Sequence, residues 1–203
     1  MILSVAVIAG ILSGFLVARW KKEPWQPPAL RHAWLVVVFF LPQLLAFYLP
    51  ATRNLFSAPL AAASLVISQL GLLAFCILNW RLAGMPILAI GLLLNLAVIL
   101  ANGGLMPVSP DAVARLVSPE VLARLQVGER LGTSKDILLA PDAIIFPWLA
   151  DRFAPPDWIP YRFAFSVGDI LIGLGAFILL AFPAGKAASI KKGNLSYVNQ
   201  PNF

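Results

Sequence analysis

Met85-Pro86-Ile87-Leu88-Ala89-Ile90-Gly91-Leu92-Leu93-Leu94-Asn95-Leu96-Ala97-Val98-Ile99-Leu100-Ala101 carries no charge and one polar side chain, Asn95. The run is far longer than a strand and is apolar on every side, with no polar face at either the helical or the strand period. A helix of that kind belongs in an apolar medium. Asn102-Gly103-Gly104 follows directly and reads as a glycine-based helix stop. Spanning a bilayer takes roughly 20 mostly apolar residues, with about 17 tolerated. The run therefore reads as a spanning helix.

Four more stretches read the same way: residues 2–18, 33–49, 58–80 and 166–182. None holds a Lys, Arg or Glu in its interior, and the one acid within them is Asp169, near the start of the last. Composition agrees. Of 203 residues, 60% are hydrophobic and 12% charged, and the mean hydropathy is +0.87. A soluble domain of this size has too much surface to hide so much apolar side chain. The fold class expected is all-α integral membrane. It has five transmembrane helices and an extracytoplasmic cap of short helices and extended segments. Residues 1–101 form a four-helix membrane region, 102–165 the cap, 166–184 the fifth span and 185–203 a cytoplasmic basic tail.

Charge orients the bundle. Arg19, Lys21 and Lys22 follow the first apolar run and no basic residue precedes it, which is the reverse of a signal peptide. The positive-inside rule then places the N-terminus outside. The segments this puts in the cytoplasm carry Arg19, Lys21, Lys22, Arg31, Arg81, Lys186, Lys191 and Lys192 against one acid, Glu23. The outer segment 102–165 holds seven of the nine acids and six basic residues. The net charge of +6 is thus a property of the cytoplasmic face. A basic stripe suited to nucleic acid is not what the chain carries. The expected location is the cell (inner) membrane, multi-pass, N-terminus extracytoplasmic and C-terminus cytoplasmic.

One Cys and one His exclude a disulfide, a thiolate cluster and a multi-histidine metal or haem site within the chain. No phosphate-binding or dinucleotide-binding glycine motif is present. No cofactor and no metal is expected. The cap opens on an imperfect repeat, Ser109-Pro110-Asp111-Ala112-Val113-Ala114-Arg115-Leu116 and Ser118-Pro119-Glu120-Val121-Leu122-Ala123-Arg124-Leu125. Each copy starts a helix well, with Ser as N-cap, Pro first and an acid second. Two short surface helices are expected, with Val113, Leu116, Val117, Leu122 and Leu125 facing lipid or the bundle. From Ile137 onward the cap is apolar, aromatic and broken by Pro, which predicts extended or hairpin pieces in the interface.

Seven residue positions need a reason for being polar or small where they are. Asn95 and Asn102 are seven apart and share a helix face. Either they bond neighbouring helices, with Gly103 and Gly104 ending the helix, or they point at a site on the outer face. Asp151 and Asp169 would lie at the same outer boundary. Two carboxylates close together there share one proton, the setting of an aspartic hydrolase. The alternative for Asp169 is a helix-start acid, with Ser166 as N-cap and the helix beginning at Val167.

Asn95, Asn102-Gly103-Gly104, Met106-Pro107-Val108, Trp148-Leu149-Ala150-Asp151 and Ser166-Val167-Gly168-Asp169 together resemble a family of small bacterial five-helix membrane proteins of unknown function. That resemblance implies a fold and no activity. Phe165-Ser166-Val167-Gly168-Asp169, with Asp151 eighteen residues earlier, is also distantly similar to signal peptidase II. It implies Asp151 and Asp169 as a catalytic dyad. Departures are plain: that family has four spans and its outer Asn-x-Gly element lies earlier in the chain.

The leading functional expectation is a membrane scaffold, complex subunit or lipid-binding protein. The alternative is an aspartyl membrane hydrolase with Asp151 and Asp169 as dyad and Asn95, Asn102, Gly103, Gly104 and Ser166 around the substrate. A small transporter using Asn95, Gln69 and Asp169 comes third. Expected partners are membrane lipid, other membrane proteins or a lipidated peptide.

Overall fold

The computed structural model describes residues 1–156 and 158–182. The basic tail expected at 185–203 lies outside them. The described chain is mostly helical: α1 Ile2–Trp20, α2 Trp34–Gln43, α3 Ala58–Leu78, α4 Met85–Ala101, the short α5 Pro110–Val113 and α6 Pro119–Leu122, and α7 Val167–Ala181. Two short strands, β1 Met106–Val108 and β2 Asp136–Leu138, join them. Two helices, α1 and α3, are long and apolar enough to cross a membrane, while Trp34–Tyr48, α4 and α7 are shorter apolar helices.

Local chemistry sets the helix ends. Pro42 lacks an N–H and breaks the ladder of α2. The chain recovers in a wider π turn, Leu44–Tyr48, closed by Leu49 N–H donating to Leu44 O at 3.0 Å. The link from α3 to α4 turns at Gly84, whose φ of +86° suits glycine. At the far end of α4, Gly103 takes φ +83° and Gly104 N–H donates to Ile99 O at 2.8 Å. That is the six-to-one bond of a Schellman stop.

Side by side, the long helices run α1, α7, α4, α3, α2, so the last helix in sequence sits between the first and the fourth. Small residues permit the close approach. A Cβ on Gly91 would lie 2.7 Å from Gly168 O, and one on Gly175 would lie 2.6 Å from Leu88 N. Gly10 and Gly14 press on Phe177 and Leu180 of α7 in the same way.

One end of the assembly is tied by side chains. Trp25 Nε1 donates to Leu180 O at 3.3 Å, and Asn79 holds the Arg31 backbone from both sides. At the opposite end sits the cap. β1 pairs with β2 in parallel, Met106 opposite Asp136 and Val108 opposite Leu138. On its other edge, β1 receives Asp151 N–H on Pro107 O at 3.2 Å. β2 in turn folds back on residues 128–131, with Gly128 N–H on Leu138 O and Leu131 N–H on Asp136 O. Met106-Pro107-Val108 is thus the buried middle of a small layer. Pro107 fits there because only its carbonyl is asked to bond.

The two expected surface helices form as α5 and α6, each four residues long. Their apolar side chains close a core within the cap. Val108, Ala112, Val113 and Leu138 are buried there, with Val117, Leu122 and Leu125 packed against them.

Candidate functional site

The cap end brings together α4, β2, the segment at 151 and the start of α7. Ser166 ends the extended run before α7, and its Oγ accepts from Asp169 N–H at 3.1 Å. The Asp169 carboxylate reaches back to accept from Ser166 N–H at 3.3 Å. This reciprocal capping box satisfies two N–H groups that the helix itself leaves open. Asn95 ties the cap of α7 to α4. Its Nδ2 donates to Asp169 Oδ1 at 2.8 Å, and its Oδ1 accepts from Ser166 Oγ at 2.9 Å. Asn95, Ser166 and Asp169 therefore form one closed set of bonds. The helix-cap reading of Asp169 describes its contacts.

Asn102 faces a different partner. Its Nδ2 donates to Val98 O at 2.8 Å and to Ile145 O at 2.9 Å, while its Oδ1 accepts from Ile145 N–H at 2.9 Å. The side chain imitates a strand edge and clamps the Pro-rich run to the end of α4. Asn95 and Asn102 are both buried, yet they serve different partners. Gly103 and Gly104 stop the helix. A Cβ on Gly103 meets nothing, whereas one on Gly104 would lie 2.9 Å from Ala62 Cβ.

Asp151 is 1% exposed and its main partner is Lys135, whose Nζ donates to Oδ2 at 2.5 Å. Asp136 Oδ1 lies 3.4 Å from the same ammonium. The Asp151 Oδ1 atom is buried and has no hydrogen-bond partner. One partly buried ammonium thus serves the buried Asp151 and Asp136, and Asp169 lies close enough to act on both Lys135 and Asp151. Burial pushes the Asp151 carboxyl up to about 7; Lys135 opposes that push, and Asp136 and Asp169 add to it. Burial also works against the Lys135 charge, but the three carboxylates outweigh it and hold the ammonium well above its usual range.

Asp151 borders a pocket of about 270 Å³ in the cap, together with Ser109, Asp111, Arg115, Ile144 and Arg152. A group there with a proton affinity near neutral pH can act as acid or base. Among the described residues, no group of three or more His, Cys, Asp or Glu side chains is arranged to hold a metal ion.

Two residues that complete this end are missing from the sequence reading. Lys135 appears there only as one of six basic residues of the cap. Arg130 does likewise, yet its guanidinium donates to Thr133, Ser134, Ala46 and Phe56 carbonyls at 2.6–3.3 Å and lies over the Phe47 ring. It pins the cap hairpin to the π turn after Pro42. The available signal for Lys135 is its position directly before the apolar run Ile137-Leu138-Leu139. A cation at the mouth of a buried strand needs an anion, but sequence does not name it.

Neither a curated protein nor a solved structure matches the chain. The distant similarity to signal peptidase II accordingly finds no support. A family model does match, over residues 28–181, from the loop before α2 to the last residue of α7, and its description is a family of unknown function. That match takes in all the polar residues joined at the cap, and the chain belongs to the DUF5317 family.

Proposed function

We propose that this chain is a multi-pass protein of the cell (inner) membrane, with five spans, N-terminus outside and C-terminus in the cytoplasm. In this reading it serves as a lipid-binding scaffold or as a subunit of a larger membrane assembly. The observation that carries it is the outward face of α1, where Leu3, Val5, Ile8, Leu12, Phe15 and Leu16 are all exposed. Water is an unfavourable solvent for such a face, while acyl chains or another apolar helix cover it at no cost. The aromatic residues agree. Trp20, Trp34 and Trp80 are exposed toward one end, and Tyr48, Trp148 and Tyr161 toward the other, as two interfacial belts. α4 and α7 are short because Asn102 and Ser166 already belong to the cap, and slight thinning or tilt absorbs the difference.

Single cysteines placed at Lys21 and Glu120 in a Cys76→Ala background test the topology. A membrane-impermeant maleimide should label E120C in intact cells and K21C only after permeabilisation. The opposite pattern overturns the orientation. A purified protein that is monomeric and carries neither lipid nor a second protein overturns the scaffold role.

One observation favours a second reading, an aspartyl hydrolase acting on lipidated or membrane-embedded peptide. Asp151 has a free buried oxygen, borders the cap pocket and is drawn toward neutral pH by burial, with Asp136 and then Asp169 adding to the push against Lys135. Asp151 and Asp169 would then share the water and the proton, after Lys135 releases Asp151. Loss of peptide cleavage in both Asp151→Asn and Asp169→Asn, with helix content retained, supports this. Undiminished cleavage in either removes it.

A further inference from the structure

At the end opposite the cap, a pocket of about 410 Å³ is lined by Arg31, Leu78, Asn79, Trp80, Arg81 and Leu82, among others. Its two arginines are fifty positions apart in sequence and are brought together by one side chain. Asn79 is 3% exposed; its Oδ1 accepts from Arg31 N–H at 2.7 Å and its Nδ2 donates to Arg31 O at 3.1 Å. Arg81 lies 5.8 Å from the centre of the Trp80 ring, which gives its planar fork a fixed neighbour. Both guanidinium groups are exposed, and among the described residues neither forms an ion pair. The only acid of the neighbouring chain 19–34 is Glu23, against Arg19, Lys21, Lys22 and Arg31.

The other half of the pocket is apolar. Leu78 is 48% exposed and Trp80 62%, and both continue onto the exposed apolar flank of α3 at Ile77. A soluble anion would use the arginines and leave that wall wetted. A phospholipid uses both, because its phosphate takes the guanidinium forks while its glycerol and upper acyl carbons lie on Trp80 and Leu78. Basic pockets on the cytoplasmic side of spanning helices suit anionic headgroups for the same reason. We infer that Arg31, Arg81 and Trp80 form a binding site for the phosphate headgroup of an anionic phospholipid in the cytoplasmic leaflet. This inference rests on the membrane reading above.

The test uses the full chain reconstituted in phosphatidylcholine vesicles, with tryptophan fluorescence quenched by dibrominated lipid. Brominated phosphatidylglycerol and brominated phosphatidylcholine are compared at equal mole fraction. The wild-type protein should prefer phosphatidylglycerol by about fivefold or more, because its phosphate is a net negative charge for the two arginines whereas that of phosphatidylcholine is offset by its own choline cation. Arg31→Gln with Arg81→Gln should abolish that preference, while Lys21→Gln with Lys22→Gln should keep most of it. Trp80→Phe removes the nearest reporter and should shrink the phosphatidylglycerol-specific quenching with both arginines in place. Equal quenching by the two lipids in the wild-type protein overturns the site and leaves the membrane reading standing. Quenching by neither lipid overturns the membrane reading itself. Loss of the preference on adding inorganic phosphate, or equally in the lysine variant, assigns the effect to a free anion or to diffuse surface charge and overturns the site.

Discussion

Replacing Lys135 by Met should turn the buried end of the cap against itself. The substitution keeps an unbranched chain of similar length and removes the ammonium that donates to Asp151 at 2.5 Å and lies 3.4 Å from Asp136. Asp151 is 1% exposed, so the carboxylate left behind would stay largely desolvated. Removing one partner of a buried ion pair costs about 3–5 kcal/mol, because the remaining charge stays desolvated. For a chain of this length that corresponds to a fall in apparent Tm of about 6–20 °C.

The pH dependence checks the cause. Asp151 has its folded pKa raised from 3.8 to about 7, so the folded state holds that proton more tightly than the unfolded chain. For this group the penalty of ionisation is fully present above about 7 and is relieved as pH falls toward 3.8. The Lys135 ammonium, held above its usual range, stays charged throughout that window. Without it the upward push on Asp151 grows. The K135M defect should therefore be large at about pH 8.5 and much smaller at about pH 5.5. Thermal unfolding of the detergent-solubilised variant and wild type at both pH values measures this. An equal Tm for the two proteins at high pH, or a defect that does not shrink on acidification, refutes the reasoning.

Other substitutions separate the remaining supports. Asn102→Ala deletes three bonds, to Val98 and to both backbone groups of Ile145, and leaves buried amide groups unpaired. About 2–4 kcal/mol of stability should go, together with faster proteolysis around 141–150, and wild-type proteolysis rates would count against the clamp. Arg130→Ala frees the Ala46 and Phe56 carbonyls and should raise hydrogen exchange in both the π turn and the cap hairpin, whereas protection lost in the hairpin alone would deny the link. Two glycines should fail for different reasons. Gly168→Ala places a Cβ against Asn95 Oδ1 and within 2.8 Å of Gly91 O, and should cost about 1–3 kcal/mol through overpacking between α4 and α7. Gly103→Ala has open space and is strained only by its φ of +83°, so about 1–2 kcal/mol is expected there, with the α4–α7 contact intact by crosslinking.

Legibility followed the range of the interactions. The five apolar runs were readable because each needs only its own composition, and the structure ends α4 at Ala101 as the Asn102-Gly103-Gly104 stop implies. Ser166 as N-cap, with the helix starting at Val167, was readable for the same reason: a capping box lies within four residues. The paired Ser-Pro-acid starts likewise gave α5 and α6. What was not readable depends on closure between distant segments. The placement of α7 between α1 and α4 follows from glycine faces meeting across the fold, and many helices offer such faces. Lys135 and Asp151 meet because β1 pairs with 135–139 on one edge and with 151 on the other. Short strands carry too little periodic signal to announce that register.

The two ends of the molecule solve the same polar problem in opposite ways, and the contrast bears on function. At the cap, Asn95, Asn102, Ser166 and Asp169 bond one another or the backbone, and Arg130 is consumed by four carbonyls. An end built like that resists opening; among the described residues of the cap, Asp136 Oδ1 and Asp151 Oδ1 are the buried carboxylate oxygens without a hydrogen-bond partner, the latter residue beside its pocket. At the other end, the one buried amide, Asn79, spends its bonds on holding Arg31 in place, and the guanidinium groups of Arg31 and Arg81 are left for something outside the chain. A cap whose polar groups are mostly paired within the chain, with exposed guanidinium groups at the opposite end, suits the proposed reading of a protein anchored through lipid headgroups on one leaflet. An enzyme working at the outer face requires instead that the cap loosen around Asp151. Exchange and proteolysis of the cap, measured with and without anionic lipid at the far end, therefore discriminate between the two readings: a cap that stays closed while the arginines take up lipid favours the anchor, and a cap that opens favours the hydrolase.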